Sequence, residues 1–234
     1  MLRPVALMCF LLGISLCVAS VPVKELIKNA GSADKYPGSD LVIVFDSTKV
    51  DVQENGLSYV NIHTLTKVLT QNGAKTTTIV RFDYDPLSAF IEFKKVVIYR
   101  KSGEVQEVDL GKVLDYPAPA YMIYWGARQK MLSVGRLEPG DAVEVFLFRK
   151  GFTYALLTDN SGDEQYIPPM KGHFYDIVEC WNDNPVKLKV YEVNVPSSKK
   201  LQYKYFNSIP VISEKKVGDK HRISFTLRDI AKIV

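Results

Sequence analysis

Residues 41–68 read LVIVFDSTKVDVQENGLSYVNIHTLTKV, and this stretch decides the fold. Its start, Leu41–Phe45, is a continuous run of β-forming apolar residues, which predicts a strand covered on both faces. Strand-like residues also lie on either side of Asn55-Gly56. Asn-Gly between two such runs is the strongest local hairpin signal, because a type I′ turn requires positive φ at both central positions. We therefore expect a β-hairpin with its tip at Asn55 and Gly56.

Turn-forming residues recur at intervals after this hairpin. Asn72-Gly73 and Lys101-Ser102-Gly103 separate further strand-like runs, and such short breaks favour antiparallel pairing over a strand-helix-strand order. Helical spacing of apolar residues is limited to Val23–Ala30, and one further helical turn is expected after the Pro117–Pro119 loop.

The second half of the chain continues the alternation. Pro139-Gly140-Asp141 predicts a tight turn that starts a strand of about seven residues, ending at Phe148. In that strand Val143, Val145 and Leu147 face one side and Glu144 faces the other. Three more alternating runs follow, and they are Val186–Val190, Leu201–Tyr205 and Ile223–Leu227. Together these patterns predict an all-β fold with little helix, a two-sheet antiparallel β-sandwich of compact or elongated outline.

The N-terminus has the layout of a cleavable export signal. Arg3 precedes an apolar stretch from Val5 to Val18, and small residues follow at Ala19 and Ser20. The stretch is shorter than the roughly 18 to 20 residues that span a bilayer, and no comparable run follows it. We expect a signal peptide over residues 1–20 and a bacterial envelope protein in the periplasm or outside the cell, without a transmembrane span. Lipid anchoring at Cys17 is the alternative, which Leu16 disfavours.

Composition limits the partners and the organisation. The formal charge of +4 includes Arg3, and the acidic and basic residues are interspersed, which argues against a nucleic-acid partner. Residues 21–234 could form one β-sandwich module, or two units divided within residues 158–172, where Asp, Asn, Gly and Pro are frequent.

No complete catalytic or metal-binding pattern occurs in the sequence. After signal cleavage Cys180 is the remaining cysteine, and it could act as a hydrolase nucleophile if one of the three histidines lay beside it. The simpler interpretation is that Cys180 is a small buried residue in a strand. The histidines have no zinc-site spacing. We therefore expect no catalytic residues, no metal and no cofactor.

Residues 116–128 form the most distinctive stretch. Aromatic side chains, two prolines and a cation are concentrated there, which is typical of a surface that binds a glycan or a peptide. The candidate binding residues are Tyr116, Tyr121, Tyr124, Trp125 and Arg128. The alternative is that Tyr121, Ile123 and Trp125 bury one side of a segment crossing between sheets.

The order of these elements resembles a known family, the domain of unknown function that precedes a transglutaminase-like domain in exported bacterial proteins. The residues that carry the resemblance are Val42-Ile43-Val44, Asn55-Gly56, Gly73, Lys101-Ser102-Gly103 after the strand Val96–Tyr99, Tyr124, Arg128 and Leu137–Glu144. The Pro-Gly-Asp turn into a glutamate-bearing strand is the most recognisable of these features.

The resemblance implies an all-β accessory module placed before a papain-like domain whose Cys, His and Asp perform the chemistry. This sequence stops at Val234, where such a domain would begin, so the resemblance does not transfer catalysis to it. We expect a non-catalytic module that contacts a transglutaminase-like domain or another envelope protein. An independent glycan- or peptide-binding protein and a cysteine hydrolase using Cys180 are the alternatives.

Overall fold

The computed structural model describes residues 22–118, 126–152, 173–180 and 182–233. The two α-helices in these ranges are α1 (Val23–Asn29) and α2 (Gln71–Thr76). The strands are β1 (Leu41–Val52), β2 (Ser58–Val68), β3 (Ile79–Tyr84), β4 (Ala89–Tyr99), β5 (Val105–Glu107), β6 (Leu114–Pro117), β7 (Arg128–Ser133), β8 (Ala142–Gly151), β9 (Val186–Pro196), β10 (Val211–Val217) and β11 (Lys220–Ile230).

Two sheets account for all these strands. Within the described ranges, the large sheet has eight strands in the order β10-β11-β9-β1-β2-β8-β4-β5, and the small one has three in the order β3-β7-β6. The mostly β, two-layer architecture confirms the predicted fold class. One pairing departs from the antiparallel expectation, because β1 and β9 run parallel, with Ile43 opposite Val186 and Asp51 opposite Asn194.

The β1–β2 hairpin is confirmed, but the expected turn type is wrong. Gly56 has a positive φ of 88°, whereas Asn55 does not. The Gly56 N–H donates to the Gln53 carbonyl at 3.0 Å, and the Gln53 N–H donates to the Leu57 carbonyl at 2.8 Å. The loop is therefore longer than a two-residue type I′ turn, and Gly56 alone supplies the left-handed residue.

Asn72-Gly73 does not form a strand-to-strand turn, because it lies inside α2. The Thr70 hydroxyl caps this helix by accepting the Gly73 N–H at 3.1 Å. A side chain at Gly73 would place its Cβ 2.3 Å from the Asp40 carbonyl oxygen. The glycine is required here for close packing of α2 on the chain before β1, and not for turning the chain.

The large sheet packs on both faces. On one face, the core under the small sheet contains Leu132, Phe93, Val96, Ile98 and Leu147, and we call it the sheet-covered core. Beside it lies the loop-covered core, which contains Val50, Val60, Tyr191, Val193 and Ile223. Ile62 of β2 contacts both cores, so they share a face. On the opposite face, α1 covers a third cluster that includes Val42, Val44 and Leu65.

Three further sequence-based predictions agree with the structure, and they concern a turn, a helix and a strand. The turn at Lys101–Gly103 and the short helix near Val23–Ala30 are confirmed. The strand after Pro139-Gly140-Asp141 is confirmed but runs to Gly151 rather than Phe148, because Gly151 still pairs with Ser58 and Ala89.

The strand predicted at Leu201–Tyr205 is wrong. The segment crosses over β11 instead of pairing beside it, and the Tyr203 ring lies edge-on against Phe225 at 5.0 Å. Alternating apolar residues here pack on a sheet face without joining the sheet.

The predicted boundary at residues 158–172 and the helical turn after Pro119 lie outside the described residues. Within the described ranges, none of the helices has the length and apolar content needed to cross a membrane.

Candidate functional site

The structure describes two of the five predicted binding residues. Tyr116 lies on β6 with its side chain half exposed, and Arg128 begins the neighbouring strand β7, opposite Pro117. Tyr121, Tyr124 and Trp125 lie outside the described residues. The fold therefore brings Tyr116 and Arg128 onto adjacent strands, and their role in binding stays a prediction.

The guanidinium of Arg128 already has a partner. Its Nε donates to Asp115 Oδ1 at 2.8 Å, and Tyr84 donates its hydroxyl to Asp115 Oδ2 at 2.7 Å. Burial alone would raise the pKa of Asp115, but these hydrogen bonds outweigh burial and hold the pKa below its usual range. Arg128 on β7 and Tyr84 on β3 therefore both bind Asp115 on β6, which links the three strands of the small sheet. Because its guanidinium is engaged in this way, Arg128 is less available to bind a ligand directly.

A larger candidate site lies above the loop-covered core, and we call it the aromatic cleft. Its cavity volume is about 810 Å³. The floor is the face of β9 and β11, with Tyr191, Val193 and Phe225. The first wall segment comprises residues 174–180, and the second wall segment comprises residues 201–210. Neither wall segment contains a helix or strand, so side-chain contacts hold both against the sheet.

A buried tyrosine fixes the first wall segment. The Tyr191 hydroxyl donates to Asp176 Oδ2 at 2.7 Å, and burial raises the pKa of Tyr191. Phe174 and Val178 pack against the loop-covered core from the same segment. The neutral hydroxyl therefore acts as a donor that holds the segment, and it is not available as a base.

A more exposed tyrosine fixes the second wall segment. The Tyr203 hydroxyl donates to Glu214 Oε1 at 2.8 Å, and this hydrogen bond is the main reason that the pKa of Tyr203 is raised. Leu201 packs on the loop-covered core two residues earlier. The second wall segment is therefore held by Leu201, by the contact of the Tyr203 ring with Phe225 and by one surface hydrogen bond.

Apolar side chains crowd the rim of the cleft without cover. Ile177 is 83% exposed and Phe206 is 71% exposed. Exposed Ile209 and Val211 continue this surface along the second wall segment into β10. Contiguous apolar surface of this kind marks an interaction site more often than an ordinary solvent-facing surface.

Cys180 lies at the cleft and not in a strand, so its predicted location was wrong. The side chain is half-buried, and its thiol lies 3.6 Å from the Val178 carbonyl oxygen. Among the described residues that line the cleft, none is a histidine. His63 lies on the other face of the large sheet, bonded to Glu144. Among the described residues, the Cys180 thiol makes no hydrogen bond to a histidine, so its contacts do not support the hydrolase hypothesis.

A polar cluster occupies the opposite face of the large sheet. Glu144 is 4% exposed and accepts hydrogen bonds from His63 Nε2 and from the Tyr99 hydroxyl, each at 2.7 Å. Burial would raise the pKa of Glu144, but these two hydrogen bonds outweigh it and lower the pKa. For Tyr99, burial and then the bond to Glu144 raise the pKa to about 12. Phe146 stacks on the His63 ring with centroids 3.9 Å apart, which fixes its orientation.

Sequence reasoning placed Glu144 on the opposite face correctly but did not find its partners. His63 and Tyr99 lie 81 and 45 residues away along the chain, so only the strand pairing brings the three together. The aromatic cleft was also missed. Its available signal was the density of aromatic residues in Tyr203–Phe206 immediately before Asn207 and Pro210, which disfavour a regular strand.

Metal binding has no support in the described ranges, where no group of three or more His, Cys, Asp or Glu side chains could hold an ion.

Comparison with known proteins identifies the family. The sequence matches the family described as "Domain of Unknown Function with solved-structure structure (DUF3857)" over residues 54–234. The chain belongs to the DUF3857 family. The match includes β2 to β11 and both wall segments of the aromatic cleft. Among curated proteins, none matches the sequence.

Comparison with solved structures finds the same fold in one longer protein and weaker matches in others. A protein from Parabacteroides distasonis, provisionally described as a protease, is 14% identical with a TM-score of 0.66, over 83% of this chain and 36% of its own. An M1 zinc metallopeptidase from Deinococcus radiodurans is 12% identical with a TM-score of 0.41, over 82% of this chain and 39% of its own. Aminopeptidase A from Legionella pneumophila is 7% identical with a TM-score of 0.42, over 86% of this chain and 21% of its own. The chain spans well under half the length of each of these proteins, and the first similarity shows the fold alone.

Proposed function

We propose that this chain is an exported, non-catalytic accessory β module whose aromatic cleft docks onto a transglutaminase-like partner domain. The observation that carries the proposal is the uncovered apolar rim around the cleft, led by Ile177 and Phe206. Burying such side chains contributes roughly 25 cal/mol per Å² of apolar surface removed from water, which favours a protein partner with its own apolar face.

The polar groups of the cleft support binding over chemistry. The hydroxyls of Tyr191 and Tyr203 are each engaged with a carboxylate, and Cys180 is near a backbone carbonyl. A nucleophile needs a neighbouring base or cation, and neither contacts the Cys180 thiol in the described part of the chain. The cleft therefore has the composition of an interface, with aromatic residues over a sheet and polar side chains among them.

The family resemblance and the length of a similar protein indicate which partner would occupy the cleft. The similar Parabacteroides protein is nearly three times as long as the region it shares with this chain, so this fold occurs there beside further polypeptide. We propose that a covalently linked or separately encoded transglutaminase-like domain covers the rim. Export follows from the signal-like N-terminus and stays part of the proposal.

The coding DNA beyond Val234 provides the first test. A transglutaminase-like reading frame there, continuous or adjacent, supports the proposal, whereas unrelated or absent coding sequence argues strongly against it. The domain found would then be purified and titrated against this chain by calorimetry.

Variants localise the contact. Ile177→Ser and Phe206→Ser should each weaken the complex by roughly tenfold or more, because each removes an apolar anchor at the rim. Val105→Ser is the matched control, since Val105 is also an exposed apolar side chain but lies on β5, at the far edge of the large sheet. Equal affinities for the parent and both rim variants would exclude the cleft as the contact surface.

Glycan or peptide recognition near Tyr116 is the second candidate function. Exposed Tyr116 favours it, because an aromatic face suits either ligand. Tyr116 is paired with Gln129, so the Arg128 side chain lies on the other face of the small sheet and is not part of this site. A Tyr116→Ala variant that folds normally should lose binding to envelope glycans or peptides on an array. Retention of the parent's binding would remove this site from consideration.

A further inference from the structure

A second cavity lies at the α1 end of the large sheet, on a part of the molecule that the proposed function does not use. Its volume is about 540 Å³, and it is bounded by α1, the end of β2 and the turns at Lys101–Gly103 and Pro139–Gly140. We call it the basic cavity. Counting only residues that the structure describes, the lining holds one carboxylate, Asp34, and five cations. These cations are Lys24, Lys28, Lys67, Arg100 and Lys101.

Positive charge is more concentrated in this cavity than in the chain as a whole. Five cations against one carboxylate give the described lining a formal charge of +4, which equals the net charge of the whole chain. A concave site lined by one sign of charge raises the local concentration of counter-ions. The rest of the molecule, in contrast, has mixed charges and many ion pairs.

These cations are mostly not neutralised within the protein. Arg100 Nη1 lies 3.0 Å from Asp141 Oδ2, which gives that guanidinium a carboxylate partner. The four lysines form no ion pair with any carboxylate that the structure describes. Their positive charges therefore face the cavity or solvent without a compensating anion.

Lys67 is held inside the cavity by backbone atoms. Its Nζ donates to the carbonyl oxygens of Ile27 at 3.0 Å and Gly31 at 2.7 Å. An ammonium has three N–H donors, so two hydrogen bonds leave one for a ligand. Burial lowers the pKa of Lys67, which means that its charge is costly there and that a bound anion would offset this cost.

Lys101 reaches the cavity because residue 140 is glycine. A Cβ at Gly140 would lie 2.9 Å from Lys101 Cδ, so a larger residue would displace the lysine chain. Gly140 also has a positive φ of 101°, which the turn before β8 requires. The Pro-Gly-Asp turn therefore shapes one side of the basic cavity as well as starting the strand.

Much of the remaining lining is apolar and includes Ile27, Leu69 and the ring of Tyr99. A bare inorganic ion would leave this surface unused. We propose that the basic cavity binds an amphiphilic anion, a carboxylate or phosphate group attached to an apolar body. The anion would contact Lys28, Lys67 and Lys101, and the apolar body would cover Ile27 and Leu69.

Calorimetric titration of the mature chain with octyl phosphate and with octanoate tests this proposal. Lys28→Gln/Lys101→Gln is the informative double variant, because neither ammonium makes a hydrogen bond or ion pair that folding would miss in the described structure. It should weaken binding roughly tenfold or more. Lys215→Gln/Lys216→Gln on β10 is the control, with the same loss of charge at the opposite edge of the sheet. It should bind as the parent does.

The outcomes are distinct. Absence of binding of both probes to the parent overturns the proposal, and so does equal weakening in the two double variants. Inorganic phosphate should bind more weakly than octyl phosphate, and equal affinities would overturn the role of the apolar lining.

Vesicles of phosphatidylcholine with and without phosphatidylglycerol identify the source of the anion. Sedimentation with anionic vesicles that needs Lys28 and Lys101 indicates a lipid headgroup, and binding of octyl phosphate alone indicates a soluble ligand.

Discussion

The two cores that share one face of the large sheet are covered in different ways. The sheet-covered core is closed by β3, β6 and β7, whose backbone groups pair with one another and whose Leu132 is fully buried. The loop-covered core is closed by two wall segments without regular structure, and the aromatic cleft remains between them. The paired strands of the small sheet cover their core continuously, whereas the two separately anchored wall segments leave a cleft between them. We therefore expect stability to depend mainly on the half under the small sheet, whereas the proposed docking surface lies on the other half.

The largest difference between the halves should appear when an anchor is removed from each. Leu132→Ala should reduce the free energy of unfolding by about 2–5 kcal/mol, because it leaves a cavity under the small sheet. Ile177→Ala, at the exposed rim of the cleft, should change it by less than about 0.5 kcal/mol. Urea unfolding followed by tryptophan fluorescence and circular dichroism measures both values. Similar losses of unfolding free energy in the two variants would contradict this difference between the two halves of the sheet.

Substitution of a buried carboxylate should also reduce the free energy of unfolding more than substitution of an exposed one. Glu144→Gln should cost about 1–3 kcal/mol, because the amide presents an N–H group where Glu144 accepts hydrogen bonds from His63 and Tyr99. Glu214→Gln is the matched control, since Glu214 is exposed and, among the described residues, its carboxylate accepts a hydrogen bond only from Tyr203. A loss for Glu214→Gln as large as that for Glu144→Gln would show that burial does not set the cost.

The same carboxylate should make stability depend on pH. The ordinary pKa of a glutamate is 4.5, and the pKa of Glu144 in the folded protein lies below it. Its contribution is therefore fully present above the unfolded value and is lost as the pH falls through the folded value. The parent should lose stability between about pH 5 and pH 3 more steeply than Glu144→Gln does. Parallel pH profiles for the two proteins would contradict this assignment.

A smaller, local effect is expected at the floor of the cleft. Tyr191→Phe removes the hydrogen bond to Asp176 and should cost about 1 kcal/mol. The first wall segment should then open more readily, with faster hydrogen exchange at residues 174–180 and unchanged exchange in β7. Increased exchange throughout the molecule would instead indicate a global loss of structure.

The smallest effect is expected at Tyr203→Phe. Its hydroxyl bonds to exposed Glu214 at the surface, so the unfolding midpoint should match that of the parent. Exchange in the second wall segment should rise modestly, because Leu201 still anchors it. A clear drop in the midpoint would show that this surface hydrogen bond carries more of the fold than its exposure suggests.

Local sequence patterns predicted the strands that adjoin recognisable turns, including β1, β2 and β8. They failed where the same pattern serves another purpose. Leu201, Tyr203 and Tyr205 alternate as strand residues do, yet the segment lies across the sheet because its apolar side chains cover Phe225. Asn72-Gly73 has the composition of a turn, yet Thr70 caps a helix there and Asp40 leaves room for glycine alone.

The candidate sites depended more on long-range pairing than on local sequence. Tyr116 and Arg128 could be named because they lie in one conspicuous stretch, whereas His63 and Glu144 meet only through the pairing of β2 with β8. The aromatic cleft required two segments from different parts of the chain to reach β9 and β11. No local period contains that information.

The central position of β1 has a practical consequence for expressing pieces of this protein. Residues 54–234 match the family, but β1 ends at Val52, before that range begins. A polypeptide trimmed to the matched range would lack the strand that joins β2 to β9, and two rows of unpaired backbone groups would face each other across the gap. Such a fragment is expected to aggregate or to recruit a foreign strand, so a polypeptide made for expression should begin before Leu41.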